Sequence, residues 1–240
     1  MNAPVPAFHL NVDEALRFIW CDPRWLAKLA LGALFSLLSV VIVGGILTQG
    51  YLLILAGRVA RAEPQPLPEW DNFGEILRQG ISGLVITLVL SIPLIVLALI
   101  TVLLSFPLLF AGAAGGQGTT AAAVGGVLIF FLSLLVLPLA LLVGIVGPAA
   151  HAQLVLHDGE LAAAFRFREI IAFISRQRGQ YALMLIMCMA ASSVLSQIGY
   201  FACFVGVFVT IFVAQLFQYH LIGQLCWYER TVLTVPQRGE

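Results

Sequence analysis

The side chains best able to do chemistry in this chain sit in its last apolar stretch, where Gln215, Gln218, His220 and Gln224 form the densest run of polar atoms. In lipid such groups need partners, so two uses fit them: interhelical hydrogen bonds that orient a helix inside a bundle, or a polar lining for a solute path. His220 and Gln224 are four residues apart and share one side of a helix, with Gln215 and Gln218 toward another. Elsewhere spacing does not assemble a reactive site. His151 and His157 are six apart, which does not put both on one face of an ideal helix, and Asp158 alone is a poor third ligand. Glu69, Asp71 and Glu75 cluster in sequence without a histidine, and Ser192, Ser193 and Ser196 have no base beside them. Cys21, Cys188, Cys203 and Cys226 show neither CxxC nor ligand-like spacing. The expectation is a non-enzyme with no catalytic residue, cofactor or metal site.

The elements that position these residues follow from composition. Of 240 residues, 61% are hydrophobic and 10% charged, and the mean hydropathy is +1.02. A soluble domain carries roughly a quarter charged residues, so the chain reads as an integral membrane protein. Twelve basic residues balance twelve acidic ones, leaving no field to attract nucleic acid. With Asp13, Glu14 and Asp22 preceding the first apolar run, the N-terminus reads as retained rather than as a cleaved signal.

No Asp, Glu, Lys or Arg falls between Arg78 and Asp158, which is room for two spans of about 20 residues joined by the small-residue stretch Ala111 to Gly126. Helices are expected near Ile81 to Phe106 and Val124 to Val146, with Pro93, Pro107 and Pro138 marking kinks or ends. Between Arg178 and Glu229 two more are expected, near Tyr181 to Ser196 and Tyr200 to Trp227, turning at Gln197 to Tyr200. The uncharged stretch Leu29 to Gly57 is long for one helix and short for two. Charge decides it: a hairpin turning at Gly44 and Gly45 keeps every basic residue on one face, as the positive-inside bias requires.

The fold class is therefore all-α, a polytopic helical membrane bundle of about six membrane helices in three hairpins, with cytoplasmic amphipathic helices. One membrane domain covers 1–240: an amphipathic N-terminal helix (1–24), a first hairpin (25–60), a cytoplasmic loop (61–80), a second hairpin (81–147), a cytoplasmic amphipathic stretch (148–180), a third hairpin (181–228) and a tail (229–240). The spacings from Gly50 to Gly80 and from Gly147 to Gly179 are similar and hint at three related hairpin units.

In the polar segments, Asn11 with Glu14 has the form of a helix-capping pair, and Asp22 with Pro23 that of a cap and first-turn proline for the first membrane helix. Pro64, Pro66 and Pro68 hold an extended stretch, after which Asp71 or Asn72 caps a short helix near Phe73. Trp70, Phe73, Ile76 and Leu77 are candidates to face lipid, and Arg166, Arg168, Arg176 and Arg178 to meet anionic headgroups beside the apolar face of Phe167, Ile170, Ile171 and Ile174.

The DPRW string at Asp22 to Trp25, Gly50 and Tyr51 followed by Arg58, LPEWDNFG from Leu67 to Gly74, and HLIGQ from His220 to Gln224 together resemble a prokaryotic membrane family known as domain of unknown function 4013. The resemblance implies a membrane protein with no assigned activity and transfers no catalytic residue. Two functions remain open. One is a non-catalytic assembly, scaffold or lipid- and partner-binding protein of the prokaryotic cytoplasmic membrane, both termini cytoplasmic, whose partners are the lipid bilayer and other membrane proteins or copies of itself. The other is a permease or carrier for a neutral or apolar solute.

Overall fold

In the computed structural model, residues 9–40, 42–113, 118–201 and 205–233 are described. Their regular structure is helical: α1 (Val12–Arg17), α2 (Trp25–Leu37), α3 (Ile42–Ala60), α4 (Phe73–Ala113), α5 (Gly118–Leu156), α6 (Phe167–Arg176), α7 (Arg178–Phe201) and α8 (Val205–Tyr228). The expected all-α bundle is what the chain forms. Five helices, α3, α4, α5, α7 and α8, are long and apolar enough to cross a membrane, whereas α2 is apolar but has only 13 residues.

The chain divides into two compact units. The first comprises Met1–Ile86 and Pro148–Glu240. Its centre is α8, whose Phe212, Leu216, Leu221 and Cys226 are fully buried and against which α2, α3 and α7 pack. The second unit is Thr87–Gly147, which takes in the later part of α4 and the earlier part of α5. Its side chains are overwhelmingly exposed, with Leu103 at 76% and Leu137 at 62%.

Helix ends gather at one polar end of the first unit. Lys28 near the start of α2 and Arg58 near the end of α3 both donate to the Leu67 carbonyl, so these two helices run back on each other as a hairpin. The Arg230 guanidinium, just past α8, donates to the Val155 and Leu156 carbonyls and to Asp158, closing the end of α5. The carboxylate of Glu229 receives Arg176 and Gln177 from the end of α6 and the start of α7.

Several boundaries differ from the sequence reading. The first hairpin turns through a short 3₁₀ segment at Leu38–Val40, not at Gly44 and Gly45. Gly44 lies inside α3, where an added Cβ would come within 2.4 Å of the Leu38 backbone, so this glycine serves close packing after the turn. The loop expected to reach residue 80 ends at Asn72, whose side chain accepts from the Glu75 N–H and starts α4 directly. Pro93, Pro107 and Pro138 end nothing; α4 and α5 continue through them. Gly199, expected in a turn, is helical and sits against Thr210 and Val207 at the head of the third hairpin. Asp22 accepts from the Arg24 N–H, but α2 begins only at Trp25. Val41, residues 114–117 of the expected small-residue loop, and Cys203 lie outside the described residues.

The glycines of the suggested repeat have unlike roles. Gly50 and Gly80 bring α3 and α4 into backbone contact, since a Cβ on Gly50 would lie 1.8 Å from the Ile76 carbonyl oxygen and one on Gly80 2.0 Å from that of Ile46. A Cβ on Gly147 or Gly179 would meet nothing within 4 Å, so the spacing carries no shared packing.

Candidate functional site

The strings singled out in sequence converge at the polar end. The Lys28 side chain is 4% exposed, and its ammonium meets Asp22 Oδ2 at 2.6 Å, Glu69 Oε1 at 2.8 Å and the Leu67 carbonyl at 3.1 Å. Those three acceptors match its three N–H donors, which is what lets an ammonium be buried. Arg24 adds a second contact to Glu69 at 2.8 Å. Burial pushes the Asp22 carboxyl up, but the Lys28 hydrogen bond, the Arg24 N–H and the charges of both basic side chains outweigh it and hold the group below its usual 3.8. The DPRW segment and the LPEW strut are thus joined through one buried lysine.

Trp70 locks the strut from the other side. Its ring stacks on Tyr51 at 4.2 Å between centroids and its indole N–H donates to the Lys28 carbonyl, while the Tyr51 hydroxyl donates to the Pro68 carbonyl. Sequence reasoning offered Trp70 and Ile76 as lipid-facing; both are buried, because the proline strut folds back over α2 and α3 and brings the indole inside. Phe73 and Leu77, on the other side of the first turns of α4, remain exposed.

A groove of about 320 Å³ opens between α1, the strut and α8. Glu14, Phe18 and Cys21 form one wall, Glu63 to Leu67 the other, and Val59 and His220 the floor. The wall is held by the capping pair read in the sequence: Asn11 Oδ1 accepts from the Glu14 N–H, and its amide donates back to the Glu14 carboxylate. Gly223 permits the floor, since its bare Cα lets α8 lie against Val59 and the Ala56 carbonyl.

Gln224 ties α8 to this wall and fixes the His220 ring. Its Oε1 accepts from the Asn11 N–H at 2.9 Å and its Nε2 donates to the Asn11 carbonyl at 3.0 Å, which settles the amide orientation. The remaining amide hydrogen faces His220 Nδ1 at 3.3 Å, so Nδ1 accepts and Nε2 bears the ring proton. The ring is 1% exposed and lies 4.3 Å from the Phe18 ring.

The four polar residues of α8 therefore separate. His220 and Gln224 act together with Asn11; Gln218 is half-buried elsewhere, and Gln215 Oε1 is buried with no hydrogen-bond partner among the described residues. A different polar cluster went unread: Gln49, His151 and Tyr219, from α3, α5 and α8, with His151 Nε2 3.3 Å from Gln49 Nε2 and His151 Nδ1 3.3 Å from the Tyr219 oxygen. His151 is visible in the sequence only as a neighbour of His157, and Gly83 makes room for the cluster, since a Cβ there would collide with Gln49 at 2.7 Å. His157 instead turns to Glu169 at the helix end.

The candidate headgroup arginines are all exposed but not equivalent. Arg166 pairs with Glu160 and Glu169 and Arg176 with Glu229, whereas Arg168 and Arg178 have no ion-pair partner among the described residues. On α6, Ile170 and Phe173 are buried while Phe167 and Ile171 face outward. The acidic trio also separates: Glu69 serves Lys28, Glu75 holds Arg78, and Asp71 is exposed. No group of three His, Cys, Asp or Glu among the described residues is placed to hold an ion.

No curated protein and no solved structure matches this chain. One family does, described as Protein of unknown function (DUF4013), over residues 33–205. The match takes in Gly50, Tyr51, Arg58 and the LPEW string, and leaves the DPRW and HLIGQ strings outside. The chain, with well over half its length matched, belongs to the DUF4013 family.

Proposed function

We propose that this is a non-catalytic multi-pass protein of a prokaryotic cytoplasmic membrane that holds a protein partner in the groove between α1 and the proline strut. The observation that carries this reading is how the charges around the groove are used. Lys28, Asp22 and Glu69 face one another, Glu63 takes Arg61 at 2.9 Å, and Glu14 takes the Asn11 amide. A reaction centre would turn such groups toward a substrate; here they rigidify a concave surface with Phe18, Val59 and Leu67 in its lining.

Orientation is part of the proposal. Every basic residue from Arg17 to Arg230 belongs to the polar end, and the positive-inside bias assigns that end, with both termini, to the cytoplasm. Lipid or a membrane partner then covers the exposed apolar flanks of α4 and α5.

The test is purification from the native membrane in mild detergent, followed by mass spectrometry of what stays bound. A protein at stoichiometric amount, lost when Cys21→Trp fills the groove, supports the reading; a lone chain, or a partner indifferent to that substitution, overturns it. A carrier for a neutral solute is the second reading, favoured by the Gln49, His151 and Tyr219 cluster within the spans. It requires that Gln49→Leu abolish uptake of that solute into proteoliposomes.

A further inference from the structure

We propose that a second cleft, where the end of α3 meets the start of α4 and the end of α5, binds the phosphate of an anionic phospholipid. The cleft holds about 290 Å³, and three guanidiniums line it: Arg58 and Arg61 from the end of α3, Arg78 from the second turn of α4. Each is already steered along one edge. Arg61 Nε donates to Glu63 at 2.9 Å; Arg78 grips Glu75 through Nε and one terminal nitrogen at 3.0 and 2.8 Å; Arg58 donates to the Leu67 carbonyl at 3.4 Å.

The other edges stay available. Both terminal nitrogens of Arg61, one of Arg78 and one of Arg58 have no acceptor among the described residues. Planar forks held on one edge and open on the other suit phosphate oxygens, with little rotamer freedom left to lose. Of the two carboxylates on the lining, Glu75 is held by Arg78 and Gln79 and Asp158 by Arg230, while Glu63 lies 3.7 Å from Arg58 Nε as well as on Arg61.

A soluble phosphate would need nothing more, but this cleft is bordered by Leu53, Ile54, Leu154 and Val155, of which Ile54 is half-buried and the others buried. Arg78 is also the last charged residue before the apolar run of α4, and Arg58 the first after that of α3. Guanidiniums at the boundary of the apolar spans match a headgroup whose acyl chains lie along those spans. This inference rests on the multi-pass reading but not on the partner groove.

The experiment uses the full chain in mild detergent, titrated with phosphatidylglycerol or phosphatidylcholine and read by native mass spectrometry and by thermal shift. Phosphatidylglycerol should bind at least tenfold more tightly than phosphatidylcholine, and Arg61→Gln with Arg78→Gln should erase that preference. Arg168→Gln with Arg178→Gln, which removes two exposed arginines that the sequence also offered to anionic headgroups, should preserve it if the cleft and not that surface sets the preference. Equal binding of the two lipids by the unaltered protein overturns the proposal whether or not the variant folds, and so does equal loss in both double variants. Saturable stabilisation by glycerol phosphate as strong as that by the lipid would make the site one for a soluble phosphate and overturn the lipid assignment. None of these failures would restore or remove a partner at the groove.

Discussion

Replacing Lys28 with methionine isolates the join between α2 and the strut. The substitution keeps an unbranched side chain of similar length but strands the Asp22 carboxylate, whose side chain is 6% exposed, while Glu69 retains Arg24. Breaking a buried pair by removing one partner costs about 3–5 kcal/mol. The surviving Arg24 contacts put this case at the low end, and about 3 kcal/mol corresponds to a drop in Tm of roughly 6–12 °C for a chain of this size. Adding Asp22→Asn removes the stranded charge and keeps an acceptor for the Arg24 N–H, so the double variant should return to within about 1 kcal/mol of the parent. Thermal melts in one detergent measure both. Acid supplies an independent check of sign. Because the native carboxyl lies below its usual 3.8, its contribution is present above that value and is lost as the pH falls through the lowered one. The stability gap between the parent and Asp22→Asn alone should therefore narrow as the pH is lowered from about 5 to about 3. A Lys28→Met protein as stable as the parent, or a double variant less stable than the single, would refute the reasoning.

Other substitutions separate the remaining contacts. Gly50→Ala or Gly80→Ala forces a methyl into facing backbone and should cost at the top of the ~1–3 kcal/mol expected for overpacking, while Gly144→Ala, in open space, should be neutral or slightly stabilising in the same melt. Trp70→Ala removes a stacked, hydrogen-bonded ring and should cost about 3–5 kcal/mol; acrylamide should quench Trp70 poorly in a protein whose other tryptophans are replaced by phenylalanine. Gln224→Ala cuts the tie to Asn11, so trypsin should cleave after Arg17 faster than in the parent with little change in Tm. In a Cys203→Ser background, Cys21 should be labelled by a membrane-impermeant maleimide in inverted vesicles and spared in intact cells, since Cys188 and Cys226 are buried; the opposite pattern would reverse the orientation.

Much of the fold was legible because its signals are cumulative. The apolar runs between charges, the capping pair at Asn11 and Glu14 and the balance of arginines each point to hairpins with one polar end, and errors at single residues do not disturb that pattern. Boundaries were not legible where one residue type has two uses. Gly44 and Gly199 read as turns but serve close packing, and alanine-rich flanks extend α4 and α5 beyond the expected loop ends. At the candidate site, DPRW and LPEW could be named as strings, yet nothing local says that Lys28 is their junction. Two of its three acceptors lie 39 and 41 positions further on, so the set is complete only after the strut folds back. The Gln49, His151 and Tyr219 cluster was hidden for the same reason, since its three side chains come from three separate helices.

The brevity of α2 bears on how the chain enters a bilayer. Thirteen residues rise about 20 Å, against a hydrocarbon core of about 30 Å, so α2 lacks the length to be released into lipid as an independent stop. It must enter paired with α3, as one re-entering loop of nascent chain. Lys28 aggravates this, for an uncompensated lysine carried into the membrane costs up to about 3 kcal/mol, and although Asp22 is already made, its other two acceptors, Glu69 and the Leu67 carbonyl, are synthesised later. Insertion of the first hairpin is thereby coupled to emergence of the strut from the ribosome. Chains arrested before Leu67 has left the exit tunnel should remain at the translocation machinery, and chains arrested well beyond Trp70 should have moved into lipid.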